Sequence, residues 1–97
     1  MPQRKRKDIR KALIKKGFIE ENNDHYFYTL VYKNKIQPIY TKISKGSKYK
    51  ILQDGLLSLM STQMKLSNKE FLGFVDCNIS KDEYVALLQE KKLIPNE

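Results

Sequence analysis

His25 is the single histidine of the chain and opens an aromatic run, NDHYFYTL, at residues 23–30. Lysines follow it at positions 42, 45 and 48. Imidazole titrates near pH ~6.5, so it can take or give a proton near neutrality. Ammonium groups placed on a phosphate stabilise the charge that builds in its transition state. The reaction such a group suits is RNA cleavage. A base removes the 2′-hydroxyl proton, the oxygen attacks the adjacent phosphorus, and an acid protonates the leaving oxygen. One histidine does not fill both proton roles at once. The second falls to Lys42 or a tyrosine, a choice the residues leave open, and turnover is expected to be slow. The plainer reading of His25 is a polar residue at a strand start.

These side chains act together only if the elements around them bring them together. Residues 25–33, HYFYTLVYK, are dense in aromatic and β-branched types and read as a strand. Asn34-Lys35 reads as a two-residue turn, and residues 36–43, IQPIYTKI, as the returning strand. Pro38 has no amide proton, so that strand is expected at an edge or bulged there. The turn then pairs Lys33 with Ile36, Leu30 with Ile39, Phe27 with Lys42 and His25 with Ser44. Alternation assigns Tyr26, Tyr28, Leu30, Tyr32, Ile39, Thr41 and Ile43 to a core face. His25, Phe27, Thr29, Val31, Tyr40, Lys42 and Ser44 fall on the other, so His25, Lys42 and Ser44 are expected as neighbours. That expectation hangs on one choice of register.

The net charge of +8 is unevenly spread. Residues 1–16 carry eight bases and one acid, residues 17–32 three acids and no base, residues 33–50 six lysines and no acid, and residues 51–97 five bases and seven acids. Two basic blocks therefore flank a short acidic stretch. Clustered cations favour a polyanion, because counterions released from phosphates drive association. The competing reading is a solvated, solubilising face.

The remaining chain supplies helices. Residues 8–16, DIRKALIKK, place Ile9, Ala12 and Leu13 at helical spacing, with Gly17 to end the helix in the left-handed conformation. Arg10, Lys11 and Lys15 form its expected outer face. FIEENN, residues 18–23, reads as a first strand closed by turn-forming residues. SKGSKYK, residues 44–50, is a basic loop. Asp54 is expected to cap a helix with Leu56, Leu57, Met60 and Met64 on its buried side. LSNKEF and ISKDEY, at 66–71 and 79–84, repeat one pattern of apolar residue, serine, glutamate three later, then aromatic. Each is a capping box with a hydrophobic staple, opening helices at Ser67 and Ser80. Pro95 is expected beyond the last helix. Cys77, the only cysteine, is expected as a small buried apolar residue in a reducing cytoplasm. No apolar run is long enough for a membrane span, and none follows the basic N-terminus to make a secretory signal.

The expected architecture is a single α+β domain over residues 1–97. Its core, at about 7–64, runs α-β-β-β-α with a three-stranded antiparallel sheet and helices on one face. A helical extension occupies about 66–93. Residues 1–6 form a basic tail of the kind that is often disordered until it meets a polyanion.

The order of parts resembles the HicA family. A helix ends in KKGF, a turn follows, a histidine opens a strand in NDHYFY, and a hairpin leads through a basic loop, SKGSK, to a helix. The resemblance spans about residues 7–64. It implies a double-stranded-RNA-binding-like fold and the activity of a small mRNA interferase toxin of a type II toxin-antitoxin system. It also implies His25 as the catalytic residue and a cognate antitoxin protein that covers the active site; no cofactor is expected. Asn23-Asp24 stands where the family has Gly-Ser, a second family histidine is absent, and residues 66–97 extend past the family's usual end.

The expected function is a metal-independent endoribonuclease with His25 as acid or base. Lys42, Lys45 and Lys48 would hold phosphate, and Arg10 and Lys11 would make secondary backbone contacts. One histidine, one cysteine and scattered acids make no metal-ligand set. The alternatives are a non-catalytic RNA-binding module on the same scaffold, a small DNA-binding regulator using the last two helices, and an adaptor that binds protein through them.

Overall fold

A computed structural model describes residues 3–94. Pro95 and the first two residues of the basic tail lie outside the described residues. The elements run β1 (Arg4–Lys5), α1 (Arg6–Lys15), β2 (Phe18–Asn22), β3 (His25–Tyr32), β4 (Lys35–Ser44), a 3-10 turn (Ser47–Tyr49), β5 (Ile51–Leu52), α2 (Asp54–Gln63), α3 (Asn68–Val75) and α4 (Lys81–Glu90). The fold is α+β, with a three-stranded antiparallel sheet in the order β2-β3-β4 and four helices.

Helix α1 buries Ile9, Ala12 and Leu13, the three positions that its spacing marks out. It begins earlier than Asp8. Gly17 ends it at φ +97, a conformation that a side chain disfavours, and turns the chain into β2. The β3–β4 hairpin corrects the expected turn. Its central residues are Lys33 and Asn34, both with positive φ, the backbone that matches strand twist in a two-residue hairpin. Tyr32 therefore pairs with Lys35 and Val31 with Ile36. The expected pairs Lys33–Ile36 and Leu30–Ile39 do not form. Beyond Leu30 the register shifts, so that Thr29 pairs with Tyr40, Phe27 with Lys42 and His25 with Ser44. The irregularity puts two extra residues into β4 around Pro38. An insertion of two leaves the alternation of faces intact, and it restores at the far end the pairing that the displaced turn alone would have lost. Pro38 sits where no amide proton is needed, in a bulged edge strand.

Tyr28, Leu30, Ile39, Thr41 and Ile43 are buried on one face of the sheet. Helix α1 packs beside β2, α2 beside β4, and both meet α3. The last two helices join the same core. Phe18, Phe74 and Tyr84 form an aromatic cluster with ring centroids 5.1 to 6.1 Å apart. The Tyr84 hydroxyl donates to the Met64 carbonyl at 2.9 Å. Fully burying side chains of this size contributes about 1.5–3 kcal/mol each, so residues 66–94 belong to the body of the protein. Both capping boxes are formed, Ser67 with Glu70 and Ser80 with Glu83.

Four local expectations change. Residues 4–5 of the tail are ordered, pairing with Leu52 and Ile51 in a two-stranded sheet. Arg4 holds Asp76 through Nε and Nη2, at 2.9 and 2.8 Å. Gln53, not Asp54, is the N-cap of α2, and Asp54 is its first helical residue. Leu57, Met60 and Met64 are buried, but Leu56 is 38 % exposed. Cys77 is exposed, because at φ 63 it turns the chain outward just past the end of α3.

Candidate active site

His25 is the first residue of β3 and is half-buried. The ladder sets Ser44 opposite it and Lys42 opposite Phe27, two residues further on along the same face. The imidazole lies edge-on to the Phe27 ring, with centroids 6.2 Å apart. His25, Lys42 and Ser44 line one cavity of about 270 Å³, where the edge strand β4 meets α2. Tyr49 and Gln63 add polar groups to its wall, and Ile43, Leu52, Leu56, Leu59 and Met60 make the rest apolar. Residues that carry an imidazole, an ammonium, two hydroxyls and an amide thus line one hollow.

The other expected site residues lie elsewhere. The Lys45 ammonium donates to Asn22 Oδ1 and sits 5.1 Å over the Tyr26 ring. Lys48 is exposed on the 3-10 turn and outside the cavity wall. Lys11 lines a separate depression on the other flank of α1, beside Arg4, Asp8, Lys15 and Asp76. Arg10 is half-buried and largely committed. Its Nη2 pairs with Glu20 at 3.1 Å, its Nε donates to the Tyr28 hydroxyl at 2.8 Å, and its guanidinium lies 3.7 Å over Tyr26. Tyr28 in turn donates to Glu20 Oε2 at 2.9 Å, and burial pushes its phenol up to about 12. Arg10 therefore fastens α1 to the ends of β2 and β3 before it contacts anything outside.

A second hollow, of about 360 Å³, is lined by Lys5, Arg6, Lys7, Arg10, Lys50 and Ile51. Among the described residues, no acid stands in its wall. It adjoins the first hollow through Arg6, whose Nη1 donates to the carbonyls of Ser44 at 2.8 Å and Gly46 at 3.0 Å. The backbone agrees, since the Arg6 amide donates to the Lys50 carbonyl at 2.8 Å. Lys5, Arg6, Lys7 and Lys50 were not among the residues the sequence singled out. Their signal was the pair of basic blocks at 1–16 and 33–50. Bridging those blocks takes the β1–β5 pairing, which two-residue strands of ordinary composition do not announce.

Among the described residues, no three His, Cys, Asp or Glu side chains group together as metal ligands would, and no helix is long and apolar enough to cross a membrane. No family model matches the chain, and no curated protein or solved structure matches it.

Proposed function

We infer that this chain is a metal-independent endoribonuclease of the mRNA interferase kind, on a double-stranded-RNA-binding-like fold. The observation that carries the reading is that His25 and Lys42 line one cavity, next to a groove walled by five cations. In this reading His25 removes the 2′-hydroxyl proton, and the freed oxygen attacks phosphorus. The bond from phosphorus to the 5′-oxygen breaks, and that oxygen takes a proton from Tyr49, the tyrosine of the cavity wall. Lys42 sits on the non-bridging oxygens, where charge accumulates. The products are a 2′,3′-cyclic phosphate and a 5′-hydroxyl, with no water consumed. Lys5, Lys7 and Lys50 hold the flanking backbone, with Lys48 further out. Such an enzyme works in a reducing cytoplasm, the compartment that a lone cysteine suits, and, as the HicA resemblance implies, is silenced by an antitoxin protein that covers the cavity.

The test is an RNA cleavage assay with the protein and its His25→Ala variant under chelation, with product ends mapped. Cyclic phosphate ends that vanish in the variant are the expected result. Salt-dependent RNA binding by both proteins with cleavage by neither would remove the enzyme. That outcome would leave a second reading, a non-catalytic RNA-binding module. One observation favours it: the larger cluster of cations lies in the groove, of which His25 is not a part. A DNA regulator is disfavoured, because α3 and α4 bury Phe71, Phe74, Tyr84 and Leu88 in the core, and α4 opens with Asp82 and Glu83.

A further inference from the structure

Leu56 and Leu59 on α2 are 38 % and 52 % exposed, although Leu57, Met60 and Met64 of the same segment are buried. Both exposed leucines belong to the wall of the cavity that holds His25 and Lys42. A wall that is apolar over most of its area, beside a cation and a proton carrier, suits a ligand with an apolar face joined to an anion. Gln63 adds an edge to this wall. Its Oε1 accepts from the Thr41 hydroxyl at 2.6 Å, which orients the amide and leaves Nε2 without a hydrogen bond among the described residues. Two N–H groups are thus available for an acceptor on the ligand.

We propose that this cavity is a nucleobase pocket, so that the substrate is RNA whose base beside the cleaved phosphate is unpaired. The inference rests on the ribonuclease reading and adds its substrate class. A nucleobase has apolar faces for Leu56, Leu59 and Met60, a carbonyl or ring nitrogen for Gln63 Nε2, and a phosphate one bond series away for Lys42. Pockets for drug-sized ligands run from about 300 Å³ upward, so a hollow of about 270 Å³ suits a single base. A base stacked inside a duplex cannot enter it without leaving the helix, at a cost of unpairing and unstacking. Single strands and loops enter without that cost.

The experiment compares single-stranded and duplex 2′-O-methyl RNA of one sequence, which bind but cannot be cleaved at the blocked hydroxyl, using the full chain and its Leu59→Ser variant. The single strand is expected to bind at least about tenfold more tightly than the duplex, in line with the cost to the duplex of unpairing and unstacking one base. Leu59→Ser should remove most of that preference and leave duplex binding unchanged. Nucleoside monophosphates should shift the methyl resonances of Leu56, Leu59 and Met60. Equal affinity for both forms, insensitive to Leu59→Ser, would overturn the pocket. So would a change of oligomeric state in the variant with RNA binding intact, which would make the leucines a protein contact. The two readings fail differently. Methyl shifts with no cleavage of ordinary RNA sink the enzyme and keep the pocket. Cleavage with no shifts and no single-strand preference does the reverse.

Discussion

Arg6 grips the residue that faces His25 across the hairpin. Its Nη1 lies 2.8 Å from the Ser44 carbonyl and 3.0 Å from that of Gly46, so the start of α1 fixes the end of β4. Hydrogen bonds from a charged donor contribute about 1.5–3 kcal/mol when buried. Here one is half-buried and one exposed, so Arg6→Ala should cost about 1–2 kcal/mol in chemical denaturation. Lys7 lines the groove beside Arg6 and, among the described residues, makes no hydrogen bond to Ser44. Lys7→Ala should therefore weaken RNA binding and spare kcat, whereas Arg6→Ala should lower kcat as well, by moving Ser44 and His25 relative to Lys42.

Lys42 and Lys48 separate transition-state from ground-state contacts. Lys42 is in the cavity wall and Lys48 is not. Removing a group that meets developing charge costs about a hundredfold or more in rate. Lys42→Ala should lose roughly that much in single-turnover cleavage, with binding reduced only modestly. Lys48→Ala should change KM and the salt dependence of binding, with kcat held. Equal, small effects of both would mean that Lys42 does not sit on the reacting phosphate.

Acid should loosen the N-terminal strand first. The hydrogen bond from Arg4 is the main reason that Asp76 titrates below its ordinary value of 3.8. A carboxylate with a lowered folded value adds stability that is whole above its unfolded value and disappears as pH falls through the folded one. Glu70 is lowered too, chiefly by the backbone amide of Ser67 and then by Lys91. Melting temperature should fall on acidification below about pH 4. Amide exchange at Arg6, whose N–H donates to the Lys50 carbonyl, and at Leu52, paired with Arg4, should rise in the same range. In Asp76→Asn the exchange at those two amides should already be raised at neutral pH and should change less on acidification.

Gly17 tests backbone strain against crowding. Its φ is +97, and an added Cβ would come within 2.9 Å of Lys81 Cε. The lysine end can swing away, while the left-handed backbone penalty of about 1–2 kcal/mol stays. Gly17→Ala should be destabilising by about that amount, and adding Lys81→Ala should recover little of it. Substantial recovery in the double variant would make the clash the cause.

The parts of the fold that are local in chemistry were readable in advance. Ser67 with Glu70 and Ser80 with Glu83 announce helix starts, because the cap and its partner sit three residues apart. The buried face of β3 was readable from its period of two. The pairing of His25 with Ser44 was expected too, through a turn that is in fact one residue earlier. The bulge at Pro38 compensates, and Pro38 signals a bulge without stating how many residues it absorbs. What was not readable depends on distant partners. Arg4 is ordered by Asp76, 72 residues away. Arg10 looks like a free outer cation until Glu20, Tyr26 and Tyr28 come round to meet it. Leu56 and Leu57 are alike by type, and only the position of β5 and the cavity makes one of them the exposed wall.

The bulge in β4 has an effect on other molecules as well. A strand at the margin of a sheet offers unpaired amides and carbonyls to any extended chain that drifts past, and Ile36, 76 % exposed, would make that margin adhesive. Three residues of β4 crowd against Leu30, and one of them is a proline with no amide to offer. An incoming strand could not stay in step across that kink for more than a few residues. The same irregularity that carries Ser44 to His25 is thus a guard against templated aggregation, and straightening it would put the protein's solubility at risk before its fold.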